Sequence, residues 1–549
     1  MNIKYNKVKI LLHSILPLLV IFFLSNNNPK ENYLKINKNL EIFSNIIKEI
    51  NTYYINDVNI EKTIRIGIKS ILESLDPYTN FISESEENYY QTLNTGIYAG
   101  IGAIISKKQN KNTIIMIYKN SPAYNGKLKI GDEIIKINGK NVKKKSIKHI
   151  SNLLIGKPNT KIKISVKRYS IDNNINIYLT RKKVLINNIS YSGIIEKNIG
   201  YIKLSSFTSN SSMEFSKSLN NLKNIGVKKM IIDLRGNPGG ILEEAVEISN
   251  LFIKKGLKIV ETKGKVKSFN KIYKSNKSTC YNKMPLIILI DKETASSAEI
   301  IAGVIQDYDI GILIGENTYG KGLIQITKSL GYSTYLKLTI GKYYIPSGRS
   351  IQSIDYKNKN KKKKKNINNK KFKTKNGRIV YSERGIDPDI KKGKFLFSPI
   401  TINLFIKGFI FDYSTIFYYE NKKIKKTKNY KISEEQYKKF LKWLYDKDYR
   451  YKNKIEKIIE ELEGQLKKEK NYKNILKKII SLKYKIENNK ECDLKKVKKE
   501  IKFLLKEEIA SRYYLEKGAI ESSFDYDKNI TEAKRIFQNM NTYYKILNY

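Results

Sequence analysis

Apolar residues follow different rhythms along the chain, and the rhythms divide it. Over residues 31–82 they recur at helical spacing. Leu40, Phe43, Ile46, Ile47 and Ile50 form one stretch. Ile64, Ile68, Ile71 and Leu72 form the next, which Leu75-Asp76-Pro77 ends. Within residues 187–395 short apolar runs bounded by glycine and proline take over. GYIKLSSF (residues 200–207) and KKMIIDLRGNPGG (residues 228–240) read as buried strands, and a helical run over residues 242–252 follows the second. That alternation predicts an α/β fold. Helical spacing returns over residues 396–549. Ser433 and Gln436 form a capping box before Phe440, Leu441 and Leu444. Ile455, Ile458, Ile459, Leu462 and Leu466 make one stripe, and Ile475, Ile479, Leu482 and Ile486 another.

Residues 1–26 stand apart. Lys4, Lys7 and Lys9 precede an apolar run over residues 10–24. The run is short for a membrane span of about 20 residues and fits the core of a signal peptide. No small-x-small cleavage site follows, since Ser25-Asn26-Asn27-Asn28 comes instead, which leaves a retained membrane anchor as the alternative. Either way the lysines stay inside and the rest is exported, so the expected location is the periplasm or cell envelope.

Composition narrows the function classes. A chain of 549 residues is long enough for three or more domains with substantial cores. The formal net charge of +53 invites a nucleic-acid reading. However, lysine, asparagine, isoleucine and tyrosine are over-used together, and all have A/T-rich codons. The basic clusters also lack the interleaved aromatic and glycine patterns of nucleic-acid modules. No nucleic-acid partner is expected. Cys280 and Cys492 lie in different regions, so no disulfide framework is indicated, and with so few Cys and His neither is a metal site. No cofactor is needed.

The candidate chemistry lies over residues 291–325, DKETASSAEIIAGVIQDYDIGILIGENTYGKGLIQ. A hydrolytic serine needs a partner to take its proton, usually histidine. The two histidines are His13, in the N-terminal apolar run, and His149, in a lysine-rich stretch of another region. Neither suits the role, and lysine is the next candidate. Lys321 lies between Gly320 and Gly322 and ahead of Leu323 and Ile324, in a setting that can desolvate an amine toward neutrality. Ser296 is the expected nucleophile, with adjacent Ser297 as its rival.

These motifs resemble the carboxyl-terminal processing proteases, PDZ-containing serine peptidases of family S41 with a Ser–Lys dyad. TASSAEI, QDY and GENTYGKGLIQ carry the likeness, and Ser296 and Lys321 are 25 residues apart, the family's interval. The family usually has alanine after the nucleophile, where this chain has Ser297. The resemblance implies that Gln325 orients the lysine and that Asp307 gives structural support. It makes the Gly240 N–H of DLRGNPGG one oxyanion donor and the Ser297 N–H the other. Residues 86–170 look like a PDZ domain. Gly100-Ile101-Gly102-Ala103 resembles its carboxylate-binding loop, and SPA and GDEIIKING follow at matching spacing. Arg168, at the end of the last expected strand, is a candidate link between ligand binding and the active site. YYIPSGRSIQ (residues 343–352) resembles a border of the substrate groove.

The implied architecture is multidomain: an N-terminal helical region (31–82), a β-rich PDZ domain (86–170), a crotonase/ClpP-like α/β protease core (187–395) and a helical C-terminal extension (396–549). The PDZ domain is inserted into the core. The likeness covers residues 31–395. The extension shows no catalytic constellation, and packing on the protease, a homodimer contact or a partner site are all open for it. The expected function is an endopeptidase acting on proteins with accessible C-terminal tails. The alternatives are a catalytically silent PDZ scaffold and a small-molecule hydrolase or acyl-transferase of related fold.

Overall fold

The computed structural model describes residues 29–277, 284–354, 356, 370–449, 454–468 and 473–549. The signal or anchor segment and Cys280 lie outside the described residues, as does the side chain of Cys492. The chain divides at Phe81–Ile82 into two units.

Among its described residues the first unit holds two helices, α1 (Pro29–Tyr53) and α2 (Ile60–Glu73). Asn59 caps α2, its side chain accepting from the Lys62 N–H at 2.9 Å. Asp76 shapes the turn that follows, accepting from the amides of Tyr78 (2.8 Å) and Thr79 (2.9 Å).

In the second unit, α3 (Glu84–Thr95) leads into β1 (Ile97–Gly100). A β domain follows: β2 (Ala103–Lys108), β3 (Lys111–Ile117), α4 (Pro122–Asn125), β4 (Glu133–Ile137), β5 (Lys140–Asn141), α5 (Ile147–Leu154), β6 (Lys161–Lys167) and β7 (Ile175–Thr180). The sheet order is β2-β3-β4-β6-β7, with β5 on β4. The chain leaves through β8 (Lys182–Leu185), which pairs antiparallel with β1, Ile97 opposite Leu185. Entry and exit therefore meet in one ribbon, as insertion into another domain requires. One expected boundary is corrected. The domain was expected to close near residue 170, but β7 pairs with β6 along its whole length. Ser170 takes a positive φ in the connecting turn, and Ile177 and Leu179 alternate into the core.

The α/β core comprises β9 (Ile189–Glu196), β10 (Ile199–Leu204), α6 (Ser211–Asn224), β11 (Lys229–Asp233), α7 (Leu242–Ser249), β12 (Lys258–Gly264), β13 (Lys271–Lys274), β14 (Leu286–Ile290), α8 (Ser297–Asp307), β15 (Gly311–Gly315), β16 (Leu323–Gly331), β17 (Thr334–Tyr344) and β18 (Ile390–Lys391). The main sheet has the order β9-β10-β11-β14-β15-β18. Only the β9–β10 pair is antiparallel. A second, antiparallel sheet contains β12, β13, β16 and β17.

Strands β14 and β15 are buried throughout, and β11 from Met230 onward, because both faces of the sheet are covered. Met230, Ile232, Leu286, Ile288, Ile290 and Leu313 point into the core under α6–α8. The alternate residues Ile231, Ile287, Leu289, Ile312 and Ile314 face a second apolar cluster. Phe524, Ile530, Ala533, Ile536, Phe537 and Tyr543 supply the other side of that cluster. These residues come from the C-terminal extension, so its last part is a layer of the core.

The rest of the extension is α9 (Pro399–Ile406), α10 (Phe409–Glu420), α11 (Glu434–Leu444), α12 (Lys454–Leu466), α13 (Lys473–Lys496), α14 (Lys498–Ser523), α15 (Lys528–Gln538) and α16 (Met540–Ile546). Both capping-box bonds between Ser433 and Gln436 form, at 2.9 and 3.0 Å. On α12, Ile459 is buried, but Ile455, Ile458 and Leu462 are exposed, so that stripe only partly packs. Phe411 of α10 enters the core of the β domain.

Candidate active site

Parallel strands place their outgoing loops at one sheet edge, and ligands bind outside those carboxyl ends. Asp233 of β11 lies beside Leu289 of β14, and Ile290 lies beside Gly315 of β15. The glycine-rich turn leaves β11, the loop to Ser296 leaves β14, and the loop to Lys321 leaves β15. Three segments far apart in sequence are thereby brought to one edge.

Hydrogen bonds lace these loops together. The Thr294 hydroxyl donates to Leu234 O at 2.9 Å, and the Ala295 N–H to Asn237 O at 2.9 Å. The Asn237 amide donates to Leu204 O at 2.8 Å, while its oxygen accepts from the Gly239 N–H at 2.8 Å. The Gly236 N–H donates to Asp291 Oδ1 at 3.0 Å, and the Tyr319 N–H to Thr294 O at 3.0 Å.

Ser296 is the residue before α8, with φ 56° and ψ −119°. A side chain at positive φ is strained by about 1–3 kcal/mol and persists only where the surroundings impose it. The surroundings here are explicit. Glu299 reaches back to the Ser296 N–H at 2.8 Å, while the Ser296 hydroxyl makes no cap bond to the helix. Ser296 is part-exposed, Ser297 is buried, and the Ser297 hydroxyl donates to Gly240 O at 2.8 Å.

Gly239 and Gly240 are glycine for steric reasons. A Cβ on Gly239 would lie 2.7 Å from Ser296 Cβ and 2.9 Å from Ser297 N, and one on Gly240 would lie 2.1 Å from Phe207 O. Their φ angles are 90° and 150°, which disfavour a side chain as well. The Phe207 N–H donates to Gly239 O at 3.2 Å, and the Ile241 N–H donates to Phe207 O at 2.8 Å, fixing the turn to the end of β10. Ser297 opens α8, where the first amides have no intrahelical acceptor. The positive end of the helix dipole adds to their pull on an anion.

Glu299 is the hub of the site, and it was not among the residues singled out from the sequence. Its side chain is fully buried. Oε2 accepts from the Ser296 N–H at 2.8 Å and from the Lys321 N–H at 2.9 Å. Oε1 accepts from the Gly320 N–H at 2.8 Å and from the Thr318 hydroxyl. Burial pushes this carboxyl up to about 7 against the pull of those donors. The capping-box spacing was the legible signal for it.

Lys321 is part-exposed at the start of β16. The Tyr343 hydroxyl bonds to Lys321 O and lies 3.2 Å from Ser296 O, so one phenol touches both backbones. The Gly322 N–H donates to Gln352 Oε1 at 2.7 Å. Gln325 sits on β16 with its amide 3.3 Å from the Thr339 hydroxyl on β17. Asp307, at the far end of α8, bonds the buried Arg349 at 2.9 Å and accepts from the Ser347 N–H at 2.9 Å. That pair anchors the YYIPSGRSIQ segment to α8.

In the β domain, the carbonyls of the Gly100–Ala103 loop are held from behind. Ile101 O accepts from the Ala123 N–H at 2.7 Å, and Gly102 O accepts from the Tyr118 N–H at 3.0 Å. Arg168 is paired within the domain, Nε to Asp132 Oδ1 at 2.8 Å and Nη2 to Oδ2 at 2.7 Å.

Residues 198–362 match Peptidase family S41, residues 114–168 match the PDZ domain, and residues 400–537 match the probable PDZ-protease C-terminal helical domain. The carboxy-terminal processing protease CtpA of Bacillus subtilis (strain 168) is 34% identical over 307 residues, covering 55% of this chain and 65% of the relative. The carboxy-terminal-processing protease of Bartonella bacilliformis is 28% identical over 335 residues, covering 60% and 76%. A probable CtpA-like serine protease of Staphylococcus aureus (strain MRSA252) is 31% identical over 315 residues, covering 57% and 62%. The chain thus spans 62% to 76% of the length of these relatives.

An α/β core with an inserted PDZ domain and a helical C-terminal region is the architecture these features define. The matched segments are those of Peptidase family S41 and the PDZ domain, and the chain is similar to carboxy-terminal processing proteases.

Proposed function

We propose that the protein is a serine endopeptidase that captures accessible C-terminal tails with its PDZ domain and cleaves them with a Ser296–Lys321 dyad. The observation that carries this reading is the shared anchoring of Ser296 and Lys321 on Glu299, beside the Gly239–Gly240 turn. The neutral Lys321 amine takes the proton from Ser296 Oγ as that oxygen attacks the scissile carbonyl carbon. The Gly240 and Ser297 amides hold the oxyanion, and loss of such a donor typically costs about 3–4 kcal/mol in the transition state. The lysine ammonium then protonates the departing amine. Water, deprotonated by the same lysine, clears the acyl-enzyme. Gln325 steadies the lysine side chain in this scheme.

Ser296 is favoured over Ser297 because the Ser297 hydroxyl is buried and engaged with Gly240 O. A silent scaffold would have no use for a strained serine held against glycine. The substrates are taken to be envelope proteins, with the segment before residue 27 acting as export signal or anchor. The exposed Ile455, Ile458 and Leu462 are the reason to include a homodimer in this reading. The deciding experiment is cleavage of an unfolded tail peptide by wild type and by the Ser296→Ala and Lys321→Ala variants. Both variants are expected to be inactive, and full activity in either overturns the dyad. The wild-type rate is expected to rise with pH, as a lysine base requires.

A further inference from the structure

The C-terminal extension carries an acidic residue that reaches the glycine-rich turn from outside the catalytic core. Arg235 is the third residue of DLRGNPGG. Its side chain is 15% exposed and faces two carboxylates, the first of which is local. Arg235 Nε donates to Asp233 Oδ1 at 2.9 Å and Nη2 to Asp233 Oδ2 at 2.6 Å. The second is Asp527, whose Oδ2 lies 2.7 Å from the same Nη2. Asp527 is itself fixed, because its Oδ1 caps α15 by accepting from the Asn529 N–H at 2.9 Å and the Ile530 N–H at 3.2 Å. With its amide turned so that oxygen and nitrogen both meet complementary groups, Asn529 accepts from Arg235 Nη1 at 3.2 Å and donates to Lys392 O at 3.2 Å.

The groups around this cluster come from several elements. The Tyr201 hydroxyl of β10 donates to Asp233 Oδ2. Burial would raise the Asp233 carboxyl, but Arg235, Lys203 and Tyr201 hold it well below the ordinary carboxylate range. Arg235 thus faces one carboxylate on the sheet and another at the N-cap of α15. Its backbone continues directly into Gly236, Asn237 and Gly239, where Gly239 abuts Ser296. The side-chain cluster therefore sets the starting point of the turn that holds the proposed oxyanion amide.

We infer that Asp527 is a positioning residue for catalysis. It locks Arg235 so that the Gly236–Gly240 turn keeps its place against Ser296, making the C-terminal helical region a working part of the active site. The inference rests on the peptidase reading above. Remote displacement of a reacting geometry by about 1 Å can lower a rate by about a hundredfold. Asparagine is an N-cap as good as aspartate, so Asp527→Asn keeps the helix cap and removes only the charge facing Arg235.

The test uses the full chain and the tail peptide, with kcat and KM measured separately and folding followed by thermal melting. Asp527→Asn is expected to melt like wild type, to lose about tenfold to a hundredfold in kcat, and to hold KM within about twofold. Asp527→Glu, which keeps the charge, should recover most of kcat. Asp525→Asn is the control, since Asp525 pairs with Lys506 and does not face Arg235. A native melt with unchanged kcat in Asp527→Asn overturns the inference. So does an equal loss in Asp525→Asn, or an Asp527→Asn chain that no longer folds, because the charge would then serve folding and not the turn. An inactive wild type, or an active Ser296→Ala, would instead mark failure of the peptidase reading.

Discussion

Ser296 and Lys321 sit on loops from two different strands, yet their backbone N–H groups converge on one oxygen, Glu299 Oε2, at 2.8 and 2.9 Å. The distance between the proposed nucleophile and its proposed base is thus governed by a buried carboxylate that does no proton transfer in the scheme. An amide at that position can present only one acceptor atom, so two of the donors meeting Glu299 would lose their partner. Glu299→Gln is expected to lower kcat by about tenfold or more while the chain still folds. Peptide cleavage beside a thermal melt checks this.

The same carboxyl gives the fold a pH signature. Its folded-state value, about 7, lies above the ordinary 4.5, so the folded protein binds that proton more tightly than the unfolded chain does. The contribution is present in full below about 4.5 and is lost as pH rises through about 7. It amounts to something on the order of 3 kcal/mol. Wild type should therefore lose stability relative to Glu299→Gln between pH 5 and 8, in denaturant unfolding of both proteins. A difference that stays flat across that range contradicts the assignment.

Ser297→Ala separates the two serines. It removes a hydroxyl bonded to Gly240 O and leaves both backbone amides in place. Activity within about tenfold of wild type is expected, since one neutral hydrogen bond contributes about 1 kcal/mol. Inactivity equal to that of Ser296→Ala would make Ser297 the nucleophile.

Gly239→Ala is expected to abolish cleavage. The added methyl meets Ala295 O and Ser296 Cβ at 2.7 Å, and neither is the flexible end of a side chain. Relief requires moving Ser296 or the turn. Peptide cleavage and fluorophosphonate labelling should fall together in this variant, whereas a loss of binding alone would leave labelling intact.

The Asp307–Arg349 pair is buried on both sides, with 1% and 0% of the respective side chains exposed. Arg349→Met should destabilise by about 3–5 kcal/mol, because Asp307 is left charged and buried. Adding Asp307→Leu should restore much of that loss. Unfolding curves for the single and double variants measure it.

Much of this site was legible in the chain. The run KKMIIDLRGNPGG carried a strand and the turn, because those signals are local, and the interval from Ser296 to Lys321 suggested the proposed dyad through the family resemblance. Two features were not legible. Strand β7 follows Asp172-Asn173-Asn174, which reads as the end of a domain until Ile177 and Leu179 are seen to fill its core. The other was the extension. Its apolar residues announce helices, but nothing in a helical stripe says which face it will cover. Phe524, Ile530 and Phe537 cover the main sheet, and Asp527 meets Arg235, only because the chain returns to it from the far end.

The most direct measurement of the central claim is to react the full-length protein with a serine-directed fluorophosphonate and map the adduct by peptide mass. The account predicts a single adduct on Ser296 that forms in wild type and is lost in Lys321→Ala. An adduct on Ser297, or labelling of Ser296 that proceeds equally well without Lys321, would contradict it.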